Sequence, residues 1–263
     1  MILAYIIFLF LFYPGSNDHL STGPVPKSHA HNDYLHDRPL FDALAQGFIS
    51  VEADILLDKD KLYVGHNKVD LVNKPLMSLD SLYLLPLYQR YNELDGSIYP
   101  GYSGRFYLWI DIKYEGKSVI ELLEKLIGPY RTMLYSPEKN PKGKVQLIIS
   151  GDRPYDLILE DDKSYFFLDG RPADLGDNYS SGKMPFISQN IYNVCQINGE
   201  GFLENSELAV LEELVDECHH EGKKIRLWAT PDNERMWEQL LRAEVDLINT
   251  DNLSGLALFL KKQ

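Results

Sequence analysis

The sequence predicts an α/β chain folded as a single (β/α)8 TIM barrel with a hairpin excursion after its second strand. Three observations carry this. The chain has 263 residues, and eight βα units need about 250. Short apolar or β-branched runs recur eight times, several followed by helical periodicity. No internal repeat, low-complexity tract or change of composition marks a second domain.

Composition narrows the function. Hydrophobic residues make up 44% and charged residues 25%, so the chain can bury a core and is neither disordered nor fibrous. Two cysteines, Cys195 and Cys218, are too few for a disulfide scaffold and leave pairing open. Against 26 Lys and Arg stand 39 Asp and Glu, a formal charge of -13 that repels polyanions and excludes nucleic acid as the expected partner. A phosphate-bearing small molecule fits only where a cation or a local basic cluster overrides that field.

The elements follow in order. Ile2 to Tyr13 is an apolar run closed by Pro14, Gly15 and Ser16, and reads as a secretory signal too short to span a bilayer. Residues 1–20 are therefore expected to be signal peptide and linker, directing export to a periplasm or the exterior, with the barrel over 21–263; a buried N-terminal strand or helix is the alternative. Strands are expected at 25–30 and 47–55, then a hairpin from Leu57 to Gly65 with Asp58-Lys59-Asp60-Lys61 at its tip. Residues 67–104, rich in Leu, Tyr and Pro, form an insertion with no assigned elements and are a candidate lid. Further strands are expected at 105–112, 145–150, 165–169, 185–190, 224–229 and 245–250. Helices are expected at 117–127, where Val119, Leu122, Leu123 and Leu126 share a face, at 206–221, and at 232–243, opened by Asp232, Asn233 and Glu234. Asp251 is a candidate cap for a last helical stretch from Asn252 to Leu260.

Ionisable residues concentrate at the C-terminal ends of these strands, where a barrel mounts its chemistry. His29 and His31 share a face where the first strand extends through them. Glu52 and Asp54 occupy one face of the second strand, opposite Val51, Ala53 and Ile55. Two carboxylates there repel, and a hard divalent cation, Mg²⁺ or Ca²⁺, relieves the repulsion. Asp111 and Lys113 stand opposite Ile110 and Ile112, so a third carboxylate joins an ammonium suited to a phosphoryl oxygen. His66-Asn67, at the return of the hairpin, adds the second imidazole that paired proton acceptance and delivery require.

His31, the Glu52-x-Asp54 pair, His66-Asn67 and Asp111-Ile112-Lys113, in that order, resemble the glycerophosphodiester phosphodiesterase and phosphatidylinositol-specific phospholipase C-like superfamily, in a branch opening His-Ala-His-Asn-Asp-Tyr. Arg226-Leu227-Trp228-Ala229-Thr230 and the run from Val245 to Asp251 are similar to its closing strands, and the resemblance spans Lys27 to Asn252. It implies a metal-dependent phosphoric diester hydrolase acting on a glycerophosphodiester, phosphoinositide or related lipid-derived phosphodiester, with transient contact at a membrane surface. It further implies one divalent cation on Glu52, Asp54 and Asp111, acid/base work by His31 and His66, charge neutralisation by Lys113, and substrate contacts from His29, Asn32, Asn67 and Trp228. Asn32 stands where the common form carries an Arg, and Ser150, Asp169 and Asn190 end strands that would face the alcohol.

Each motif alone has a plainer reading: a solvated Glu-x-Asp face, a His-Asn turn, an exposed Asp-Lys pair, a core tryptophan. Their conjunction on strands whose other face is apolar outweighs it, because burying such charges without partners costs several kcal/mol each. A zinc amidohydrolase built on His29-x-His31 would need imidazoles late in other strands, and His19, His36, His66, His219 and His220 do not supply them. A catalytically silent phosphate-binding barrel is the remaining alternative.

Overall fold

Eight parallel strands close on themselves at the centre of the computed structural model, which describes residues 23–73, 77–161 and 164–263. In chain order they are β1 (Ser28–Ala30), β2 (Ser50–Asp58), the antiparallel outlier β3 (Lys61–Val64), β4 (Phe106–Ile112), β5 (Val145–Gly151), β6 (Phe166–Gly170), β7 (Phe186–Asn190), β8 (Lys224–Trp228) and β9 (Leu247–Thr250). Closure falls to β1, which pairs with β2 at Ala30 and with β9 along its whole length. All eight expected parallel strands are present. Residues 1–20, expected to be signal peptide and linker, lie outside the described residues.

Around the barrel run α1 (Phe41–Gln46), α2 (Asp70–Asn73), α3 (Leu85–Glu93), α4 (Gly116–Leu126), α5 (Tyr155–Glu160), α6 (Asn205–His220), α7 (Glu234–Arg242) and α8 (Leu253–Leu260). Among the described residues, β6 and β7 are joined through a single 3-10 turn, Pro172–Asp174, in place of a helix. Asn233 caps α7 as expected, its side chain accepting the Met236 N–H. Asp251 does not cap α8. Asn252 does, accepting the Gly255 N–H at 3.0 Å, and Asp251 is left for the site.

The 67–104 segment is the main difference from the sequence expectation. It carries α2, a π turn over Asp80–Leu84 and α3, with Leu82, Tyr83, Leu84 and Leu87 buried against the barrel. It is the helical layer after the second strand, and none of its described residues lines the central cavity. Pro86 hides this helix from a sequence reading, because proline lacks an N–H for the ladder; here it falls in the first turn of α3, directly after the wider π turn.

The two-residue period of the strands separates two interiors. On β4, Phe106, Leu108, Ile110 and Ile112 join the shell beneath the helices, whereas Tyr107 and Trp109 enter the barrel with Ile49, Ile148, Phe167, Phe186 and Leu247. Above this apolar plug the same inward rows become polar: His29, Glu52, Asp54, Asp169 and Arg226 are all buried there. Cys195 and Cys218 are separate buried thiols.

Candidate active site at the barrel mouth

A cavity of about 350 Å³ opens at the C-terminal ends of the strands, lined among others by His31, Glu52, His66, Asp111, Lys113 and Arg226. Strand pairing sets Asp54 beside Asp111, and the hairpin returns His66 to the same level, with the Gly65 N–H donating to the Asp54 carbonyl. The hairpin turns tightly because Lys59 and Asp60 both adopt positive φ.

Glu52, Asp54 and Asp111 each offer one ligand oxygen within 4.8 Å of the others. Lys113 Nζ reaches Asp54 Oδ2 and Asp111 Oδ2, each at 2.8 Å. The remaining oxygens, Asp54 Oδ1 and Asp111 Oδ1, are buried with no hydrogen-bond partner. Carboxylate oxygens orphaned within one such cluster fit a hard divalent cation, since burial without compensation is costly. Burial, then the Glu52 charge, pushes the Asp111 carboxyl above its ordinary value despite Lys113. At Glu52 burial acts in the same sense, but the Arg226 charge overcomes it and holds the carboxyl well below the ordinary range.

His31 and His66 are each oriented by a carboxylate. His31 Nδ1 donates to Asp251 Oδ1 at 2.9 Å, and Asn32 Nδ2 lies 3.2 Å from its Nε2. Burial alone would lower the His31 pKa; the Asp251 hydrogen bond and the Glu52 charge reverse this, and the net direction is upward. His66 Nδ1 lies 2.8 Å from Asp54 Oδ2, with the ring 64% exposed at the rim. Lys113 keeps its charge firmly: burial opposes it, but Asp111 and Asp54 raise its pKa.

Two expected contacts differ in place. His29 is fully buried below the cavity floor and does not line it. Arg226 Nη1 meets its Nε2 at 2.7 Å, and because arginine only donates, that nitrogen accepts while Nδ1–H donates to Ser50 Oγ at 2.7 Å. Burial, then Arg226, lowers His29 to about 4, so the ring is neutral. Asn67 is also outside the lining: its Oδ1 accepts the Val69 and Asp70 N–H groups, shaping the entry to α2. Trp228 does line the cavity, as does Asn32, whose φ of 45° suits asparagine. His29 does not converge with other imidazoles, and the one group of metal-ligand type found among the described residues is all carboxylate.

Sequence reasoning passed over several residues. Arg226 forms a buried ion pair with Glu52 and lies over the Trp109 ring, 4.3 Å from its centroid. Arg171 lines the wall, bonds Asp169 Oδ2 at 2.7 Å and sits 5.0 Å over the Trp228 ring. Ser150 donates to that same Asp169 oxygen at 2.7 Å. Alternation on β8, which sets Arg226 and Trp228 on one face, was the available signal for the first; Asp251 stood out only as a candidate cap and as the end of the run similar to the closing strands.

Fold and site together define a TIM-barrel protein of phosphodiesterase type. The chain belongs to the family of the AIM6-like phosphodiesterase domain, which it matches over residues 19–169. Residues 224–254 match the glycerophosphoryl diester phosphodiesterase family. The chain is 28% identical to the altered inheritance of mitochondria protein 6 homolog of Arthroderma benhamiae, covering 88% of this chain and 82% of that protein. It is likewise 28% identical to altered inheritance of mitochondria protein 6 of Zygosaccharomyces rouxii, over 88% of this chain and 68% of the relative. Among solved structures, a glycerophosphodiester phosphodiesterase from Agrobacterium tumefaciens superposes with a TM-score of 0.52 at 15% identity, covering 90% of this chain and all of that one, a likeness of fold.

Proposed function

We propose that the chain hydrolyses a small or lipid-derived phosphodiester, such as a glycerophosphodiester or phosphoinositide, in the cavity at the barrel mouth. The observation that supports this most directly is two histidines, each held by its own carboxylate, flanking three converging acids and a lysine. Glu52, Asp54 and Asp111 would hold one divalent cation, Mg²⁺ or Ca²⁺. When bound, it supplies Lewis-acid polarisation of a phosphoryl oxygen.

This chain's own residues then divide the work. Asp251 fixes the His31 tautomer with Nε2 as the proton acceptor toward the attacking hydroxyl or water. His66, its Nδ1 held by Asp54, presents Nε2 to protonate the leaving oxygen. Lys113 and Arg226 offset negative charge that accumulates on the phosphoryl group. With Glu52, Asp54 and Asp111 set against Lys113 and Arg226, the group carries one net negative charge. A divalent cation makes it positive by one, which matches a monoanionic phosphodiester. Export by the N-terminal apolar run belongs to the same reading.

The test is turnover of a bis-aryl phosphodiester by the full chain with EDTA, then with Mg²⁺, Ca²⁺ or Zn²⁺ restored. Loss on chelation and rescue by Mg²⁺ or Ca²⁺ is expected. Asp54→Asn should weaken cation binding, whereas His66→Ala should abolish turnover with the cation still bound. Full turnover in both variants would sink the mechanism.

A further inference from the structure

Tyr34 stands in the 3-10 turn Asp33–Leu35, just beyond His31 and Asn32, and the proposed reaction gives it no task. Its hydroxyl donates to Asp54 Oδ2 at 2.7 Å and lies 3.3 Å from Asn32 Oδ1. Asp54 Oδ2 therefore carries three donors, from Tyr34, His66 and Lys113, while Asp54 Oδ1 is buried with none. The terminal torsion of an aspartate is broad, so this asymmetry must be imposed from outside the residue.

The three donors are not equivalent. His66 is mostly exposed at the end of a hairpin, and Lys113 is shared with Asp111 on a flexible stem. The Tyr34 turn is pinned from below, where buried Asp33 accepts the Leu40 N–H and the Tyr83 hydroxyl at 2.9 Å.

We propose that Tyr34 is a positioning residue that locks the Asp54 carboxylate, turning Oδ1 toward the cation position and Oδ2 toward His66. This rests on the reading that the three carboxylates bind a divalent cation. Through Asn32 the same hydroxyl also touches the group beside His31 Nε2, so one phenol bridges the surroundings of both histidines.

The experiment is Mn²⁺ binding to the full-length chain, followed by electron paramagnetic resonance, with thermal melting in EDTA alongside. Loss of a group that orients a metal ligand weakens the metal by about 10- to 100-fold. Tyr34→Phe is therefore expected to raise the Mn²⁺ Kd at least tenfold and to leave the melting curve in EDTA nearly unchanged. Equal Mn²⁺ affinity in the variant and the parent overturns the assignment of Tyr34 and spares the cation site. A parent chain that binds no Mn²⁺ overturns the cation reading itself. Should Tyr34→Phe fail to fold, the parent decides: the Tyr34 hydroxyl proton should be a slowly exchanging resonance that shifts on Mg²⁺ saturation, and a resonance that does not move overturns the proposal.

Discussion

His31 gives one ring nitrogen to Asp251 and keeps the other for the cavity, so the carboxylate sets both its tautomer and its affinity for a proton. A proton acceptor must be deprotonated to work. With its pKa raised, the acidic limb of the rate profile lies above the ordinary histidine value of about 6.5. Asp251→Asn is expected to lower kcat about a hundredfold and to move that limb to lower pH, as read from kcat against pH. Asp33 gives a second titration of opposite consequence. Burial pushes its carboxyl up to about 6, so the folded chain binds the proton more tightly than the unfolded chain does. Stability then falls as pH rises from about 4 to 6, by roughly 3 kcal/mol at full effect. Asp33→Asn removes that dependence: its stability difference from the parent, from urea unfolding at pH 4 and pH 7, should shift in favour of the variant at the higher pH. Neither contact was legible in the sequence, because His31 and Asp251 lie 220 residues apart and Arg226 meets Glu52 across 174.

At the scale of elements, the strands were legible and the long connection was not. Glu52, Asp54, Asp111 and Lys113 could be placed because a period of two sorts a strand into faces, and an apolar outer row fixes which face turns inward. The same rule places Tyr107 and Trp109 as the plug on which the polar layer rests. It says nothing about where a strand stops: β1 ends at Ala30, so His29 becomes a buried support and His31, in the turn beyond, a cavity residue. The 67–104 segment resisted because its helix begins as a π turn and carries a proline in its first turn. At the end of β5, Gly151 has φ of +71°, and a Cβ there would lie 2.0 Å from Asp111 Oδ1. Gly151→Ala is expected to displace that carboxylate, costing about 1 kcal/mol or more from backbone strain and weakening Mn²⁺ binding. Calorimetric titration with Mn²⁺ checks this, and undiminished affinity would show that Asp111 Oδ1 is not needed there.

For the whole molecule, the charge of -13 and the cavity at the barrel mouth act on different length scales. The long-range field disfavours polyanions, while a cation held by Glu52, Asp54 and Asp111 would act within a few ångströms. Any ligand that binds only the folded chain raises its stability by mass action, by about 2.7 kcal/mol at a hundredfold excess over Kd. Added Mg²⁺ or Ca²⁺ is therefore expected to raise Tm in scanning calorimetry, with the gain abolished by Asp54→Asn. An equal gain in parent and variant would place the stabilising cation elsewhere.

The three-residue strand β1 has one neighbour nearby in sequence and the other at the far end of the chain. His31 follows that strand, and its N–H donates to the Thr250 carbonyl at 3.0 Å, one residue before Asp251. The closing seam of the barrel and the hydrogen bond that orients His31 are therefore made by the same two segments, 220 residues apart in the sequence. A chain cut before β9 would lose both at once, one side of the barrel and the carboxylate beside His31.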